Sequence, residues 1–143
     1  MEKITLKCKK VVGGKAAGEA IVCHEPISFI GGVDPNTGYV IEKGHELEGK
    51  KITGKVLVYP TGKGSTGGSY RIYEMAYQKT APVAFVLIQR EAIVTVGCIM
   101  GDIPCIDGLE KDPTEVIKDG DFVEVDADNG TIIINRNFAK EKL

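Results

Sequence analysis

Apolar and polar side chains alternate through Ile4-Thr5-Leu6-Lys7-Cys8-Lys9-Lys10-Val11-Val12, a period-two pattern that predicts a half-buried strand. Gly13-Gly14 breaks it, and Gly18-Glu19-Ala20-Ile21-Val22-Cys23 predicts the next strand. Pro26 opens an irregular region, and the turn formers Asp34-Pro35-Asn36-Thr37-Gly38 precede a short predicted strand at Tyr39-Val40-Ile41. His45-Glu46-Leu47-Glu48-Gly49 predicts a loop. Two runs are apolar at every step. Lys55-Val56-Leu57-Val58-Tyr59 ends at Pro60, and Val83-Ala84-Phe85-Val86-Leu87-Ile88 follows Pro82; both predict interior strands. Between them, Tyr70-Arg71-Ile72-Tyr73-Glu74-Met75-Ala76-Tyr77 has helical spacing, with Ile72, Met75 and Ala76 on one face. Strand, loop, helix, strand in that order predicts a right-handed crossover between parallel strands.

Further on, Ile93-Val94-Thr95-Val96 and Ile103-Pro104-Cys105-Ile106 predict two short extended segments, and residues 113–117 a second helix. Asp128-Asn129-Gly130 separates the alternating runs 121–125 and 131–134, a strong hairpin signal. No repeat or shift in composition divides the chain. The pattern predicts one domain over residues 1–143, α/β in class and strand-rich, with two layers of sheet and flanking helices.

Composition narrows the function classes. Glycine is abundant, 18 of 143 residues without low complexity, which fits many turns between short strands. Charge is nearly balanced, 18 basic against 20 acidic residues, so no basic face invites nucleic acid. No apolar stretch approaches the roughly 20 residues of a membrane helix, and no leader pattern stands at the start, so a cytoplasmic protein without membrane contact is expected. Cys8, Cys23, Cys98 and Cys105 match no zinc or ferredoxin spacing; Cys8, Cys23 and Cys98 sit in strand-like surroundings, as small buried apolar residues do. No metal ligands are expected in this chain. His24 and His45 lack partners at ligand spacing and read as solvated or capping residues. The carboxylates Asp119, Asp121, Glu124, Asp126 and Asp128 read as a solvated face.

The chemistry concentrates in Thr61-Gly62-Lys63-Gly64-Ser65-Thr66-Gly67-Gly68-Ser69-Tyr70, between an interior strand and a helix. Ligands bind by default at that position in open α/β sheets, because backbone N–H groups at a helix start converge on an anion. Ser65 is the candidate reactive residue, its hydroxyl favoured as alkoxide by those dipoles with help from Lys63. The alternative is a plain connection in which Ser69, Ser65 or Thr66 caps the helix. The loop is not a Walker loop, since its lysine comes too early. It is not a dinucleotide fingerprint either, since the strand ending at Ile88-Gln89 carries no closing carboxylate. No nucleophile elbow supports a hydrolase. A second segment, Gly101-Asp102-Ile103-Pro104-Cys105-Ile106-Asp107, offers two carboxylates that either share a mouth with Ser65 or act only as turn formers.

The glycine-serine loop, the strand at 82–88 and the Gly101-Asp102-Ile103-Pro104 segment, in that order, resemble the small subunit of the aconitase X family over nearly the whole chain. The resemblance implies a swivelling β/β/α domain of the aconitase type, active only with a separate large subunit in a heterodimer. It implies a hydro-lyase that removes water from (R)-5-phosphomevalonate to give trans-anhydromevalonate 5-phosphate, in a modified mevalonate route to isoprenoids; bacterial relatives dehydrate cis-3-hydroxyproline. By the same resemblance Ser65 is the base that takes the proton alpha to the carboxylate; Lys63, Gly64, Thr66, Gly67, Gly68, Ser69 and Arg71 are the candidate substrate-binding residues around it, a role the resemblance itself does not transfer. An iron–sulfur cluster of the 4Fe-4S type is expected on the large subunit, which accounts for the uncluster-like spacing of these cysteines. Aconitase-type domains place a second serine and an arginine directly after the catalytic serine. Thr66 and Gly67 stand there in this chain, and the nearest arginine is Arg71. A non-catalytic module that binds an anion or a partner is the competing expectation. A phosphohistidine swivel domain is excluded, because positions 66 to 80 contain no histidine.

Overall fold

A computed structural model describes residues 2–136. The single-domain expectation also covers residues 1 and 137–143, which lie outside the described residues. The strands are β1 (Glu2–Lys7), β2 (Lys9–Val12), β3 (Lys15–Val22), β4 (Ile27–Ser28), β5 (Val56–Tyr59), β6 (Gly62–Lys63), β7 (Ala84–Leu87), β8 (Cys105–Asp107), β9 (Phe122–Asp126) and β10 (Thr131–Arg136). The helices are α1 (Gly67–Gln78), α2 (Ala92–Gly101) and α3 (Pro113–Val116).

Eight strands form one sheet in the order β1-β10-β9-β3-β5-β7-β8-β2. Its two edge strands, β1 and β2, are consecutive in sequence, so the sheet curls until Cys8 joins edge to edge. The alternating segment 4–12 is therefore two strands: β1 pairs with β10, while β2 pairs with β8 through a bulge near Val11. The middle of the sheet is parallel, with β5 between β3 and β7, and β8 beyond β7. The predicted strand, loop, helix, strand unit is this β5-α1-β7 arrangement.

Period two within the buried strands divides the core in two. Leu57, Tyr59, Phe85 and Leu87 point toward Ile72 and Met75 of α1 and Val94 and Cys98 of α2. Val56, Val58, Ala84 and Val86 point into the curl, toward Val123, Val125, Ile132 and Ile134 of the β9-β10 hairpin. The three layers are thus sheet, sheet and helix, the β/β/α order expected from the sequence. Fully burying each large apolar side chain contributes about 1.5–3 kcal/mol, which makes both cores substantial.

Several local expectations are corrected. Residues 93–96 are not extended but lie in α2. β-branched residues favour strands weakly, and a good cap plus tertiary packing overrides that preference. Cys98 accordingly sits in a helix, although it is buried as expected. Residues 39–41 make only isolated bridges, Val33 with Val40 and Tyr39 with Lys51. His45 is not solvated: it is buried, its Nε2 donating to the Pro26 carbonyl and its Nδ1 accepting from Leu47 N, both at 3.0 Å. Asp121 does not belong to a solvated face; it is buried and accepts from Lys118 N at 2.9 Å. No helix among the described residues is long and apolar enough to cross a membrane.

Candidate active-site loop

The loop begins where Pro60 ends β5. Pro60 accepts from Ile88 N and Gln89 N at 3.0 and 3.1 Å, which ties the carboxyl ends of β5 and β7 together. Next, β6 pairs in parallel with β4, Ile27 opposite Gly62 and Ser28 opposite Lys63. Gly64 then turns with φ +105°, and a Cβ there would run into Ser28 Oγ, so only glycine fits. Lys63, Gly64, Ser65 and Thr66 are exposed in succession, and α1 starts at Gly67 rather than at Tyr70.

At the helix start, Gly68 N donates to the Ser65 carbonyl at 2.9 Å and Ser69 N to the Thr66 carbonyl at 3.2 Å. Thr66 holds a helical conformation at the N-cap (φ −58°, ψ −25°), and its side chain makes no capping bond. Neither the N–H of Thr66 nor that of Gly67 finds an acceptor among the described residues. The Ser65 hydroxyl is likewise without a partner among them. These donors carry the positive end of the α1 dipole into open space, an arrangement that binds anions and lowers the cost of charge on a nearby oxygen.

The other predicted site residues divide by place. Lys63 leans across to Glu42, Nζ to Oε2 at 3.1 Å, beside the loop. Gly68 and Ser69 are buried, and the Ser69 hydroxyl donates to the Ile93 carbonyl at 2.7 Å, fastening α1 to α2. Arg71 sits one turn along α1 and pairs with Glu74 at 3.4 Å. Neither aspartate of the second segment makes a hydrogen bond or ion pair with the loop among the described residues. Asp102 follows the C-terminal end of α2, directly after Gly101, which packs on Ala76, a residue about 10 Å along α1 from Ser69 at 1.5 Å per residue. Asp107 is buried at the carboxyl end of β8, gripped by Arg90 through Nε to Oδ2 and Nη2 to Oδ1, each 3.0 Å.

Sequence reasoning missed Ser28, Ile30, Glu42 and Glu91. Ile30, 38% exposed, packs beside Gly67 at the lip of the loop. Glu91 fills the space a Cβ would take on Gly62 while capping α2. A carboxylate just ahead of an apolar stretch was the available signal for Glu91; Ser28 and Glu42 gave none, since they meet the loop only through tertiary structure.

The donor sets among the described residues do not fit a metal cluster. Among the described residues no group of three or more His, Cys, Asp or Glu could hold an ion. Cys23, Cys98 and Cys105 are buried within one core and Cys8 packs against the other. Burial pushes the Cys23 thiol up to about 12 and the Cys8 thiol up to about 11, far from the thiolate that ligates iron.

Comparison with known proteins places this geometry in a family. A model of the aconitase X swivel domain matches residues 5–134. A protein of Methanocella arvoryzae named phosphomevalonate dehydratase small subunit is 53% identical over 127 residues, covering 89% of this chain and 96% of that protein. One of the same name from Methanosarcina acetivorans is 50% identical over 132 residues, 92% of each. The crystal structure of Thermococcus kodakaraensis aconitase X in its holo-form superposes with a TM-score of 0.86 at 47% identity, covering 92% of this chain and 98% of that one.

Proposed function

The chain belongs to the aconitase X swivel family, and we propose that it is the small, swivel-domain subunit of a two-subunit hydro-lyase that dehydrates (R)-5-phosphomevalonate to trans-anhydromevalonate 5-phosphate, a step toward isoprenoids. The observation that carries this reading is Ser65, a hydroxyl without a partner among the described residues, exposed ahead of a helix start with no side-chain cap. Identity near one half, over almost the whole length, to proteins named for that subunit supports the choice of substrate.

In this reading Ser65 takes the proton from the carbon alpha to the substrate carboxylate. The electrons of that C–H bond form the double bond while the bond from the beta carbon to its hydroxyl breaks; the departing hydroxide and the proton held on Ser65 together make up the water lost. The N–H groups of Thr66 and Gly67, with the Lys63 ammonium, hold the anionic end and stabilise charge as it builds. Gly64 sets the turn that presents Ser65. Gly68 and Ser69 keep the helix start in place against α2, and Arg71 offers a second cation one turn away. Preorganised donors of this kind are worth about 10²–10³ in rate each. We assign the iron–sulfur cluster to the large subunit; the burial of Cys23, Cys98 and Cys105 in one core, with the Cys23 thiol pushed up to about 12, supports that assignment, and the cluster would supply Lewis-acid chemistry from there.

The test is co-expression with the aconitase-X-type large subunit of the same genome, followed by assays of 5-phosphomevalonate and cis-3-hydroxyproline. Dehydration of the first but not the second, lost in Ser65→Ala, is expected. Turnover undiminished in Ser65→Ala would remove Ser65 from the mechanism. Turnover of cis-3-hydroxyproline alone would reassign the substrate.

A further inference from the structure

Helix α2 reads Ala-Ile-Val-Thr-Val-Gly-Cys-Ile-Met-Gly, without one charged residue, yet only one face of it is buried. A helix apolar all round is normally covered all round. Here Ala92, Val96 and Ile99 form an exposed stripe at spacings of four and three, with Ile99 62% exposed. Beside it α1 carries a second stripe, Tyr70, Tyr73 and Tyr77, at spacings of three and four, with Tyr70 70% and Tyr77 80% exposed. A groove of about 270 Å³ lies between the first turns of the two stripes, bordered by Tyr70 on one side and Ala92 and Val96 on the other, and is walled mainly by carbon. Its upper end is Thr66, next to Ser65.

We propose that these two stripes and the groove between them are the surface on which the large subunit docks, an inference that rests on reading this chain as the small half of a two-subunit dehydratase. Three observations select that occupant. The groove runs directly into the loop that bears Ser65, so whatever fills it also reaches the half-built site. The area suits a docking patch: the exposed parts of Tyr70, Tyr73, Tyr77, Val96 and Ile99 offer several hundred Å², a large share of the roughly 800 Å² per partner of a standard interface. Its composition is rich in the tyrosine and aliphatic side chains of interface cores, and the one carboxylate among the tyrosines, Glu74, is already paired with Arg71 at 3.4 Å. A second copy of this chain fits less well, because it would seal Ser65 under a face with no cluster of metal-binding side chains among the described residues.

Three substitutions, Tyr70→Glu, Tyr77→Glu and Ile99→Glu, place charge on side chains already in water, so the isolated variants should melt like the parent. Thr5→Glu, on exposed β1, is the control. Each is titrated against the purified large subunit, with Ser65→Ala in parallel. The expected result is a dissociation constant raised about tenfold or more by each of the three, with Thr5→Glu and Ser65→Ala binding like the parent. Three variants binding as tightly as the parent would overturn the docking surface while leaving the two-subunit reading intact. A parent chain that binds no large subunit would overturn both. If the isolated chain forms a dimer that the three variants dissolve, while their affinity for the large subunit is unchanged, the face belongs to a second copy and the proposal fails.

Discussion

Two helices start at the same end of the parallel strands, α1 after β5 and α2 after β7, and their first turns are treated in opposite ways. At α2, Glu91 is extended (φ −144°, ψ 141°), and its carboxylate accepts from Ile93 N at 2.7 Å and Val94 N at 3.2 Å. Thr95 adds a bond from its hydroxyl to the Glu91 carbonyl at 2.9 Å. The positive end of that helix is neutralised by the chain itself. At α1 the Thr66 side chain accepts nothing: the matching N–H groups, on Gly68 and Ser69, turn back to the Ser65 and Thr66 carbonyls, and those of Thr66 and Gly67 find no acceptor among the described residues. A cap of the α2 kind would stabilise α1 by about 1 kcal/mol. Its absence where a serine stands exposed is what a site looks like when stability is given up for ligand binding.

The contrast can be broken or sharpened by substitution. The largest effect should come from Ser65→Ala in the assembled complex. General-base catalysis contributes about 10²–10⁴ in rate, so kcat should fall by that order while KM moves only a few-fold, measured by steady-state assay. Thr66→Asp should follow. It gives α1 the negative charge it lacks, so KM for an anionic substrate should rise roughly tenfold or more, while the isolated chain gains a few tenths of a kcal/mol from the helix dipole. Glu91→Ala removes the cap from α2 and should cost about 1 kcal/mol in urea unfolding, with kcat in the complex changed only a few-fold. A comparable loss of stability, about 0.5–1.5 kcal/mol, should follow Ser69→Ala, which cuts the link from Ser69 to the Ile93 carbonyl, with both helix starts still formed. If Glu91→Ala lowers kcat as much as Ser65→Ala does, the distinction between the two helix starts is wrong.

Much of this was legible in the chain. The all-apolar runs of β5 and β7 announced interior parallel strands, and Asn129-Gly130 announced the β9-β10 hairpin. The loop carrying Ser65 stood out because four glycines and a lysine between a strand and a helix have few structural uses. What was hidden depended on contacts distant in sequence. Helix α2 was masked by Ile93, Val94, Thr95 and Val96, whose strand preference yields to the Glu91 cap and to burial of Val94 and Cys98. The break at Cys8 is invisible to a period-two pattern, because β1 and β2 keep the alternation while changing partners. Ser28 reaches the loop by pairing with Lys63, and Glu42 by an ion pair across 21 positions. Asp121 sits in an exposed-looking acidic run, and only the fold shows it buried beside Arg136 at 3.7 Å.

The most direct test of the difference between the helix starts is an amide titration. The ¹⁵N-labelled chain is titrated with inorganic phosphate, and the backbone resonances of Ser65, Thr66 and Gly67 are followed beside those of Ile93 and Val94. Saturable shifts at Ser65, Thr66 and Gly67, with Ile93 and Val94 unmoved, are the predicted result. Equal shifts at both helix starts, or none at Thr66 and Gly67, would contradict it.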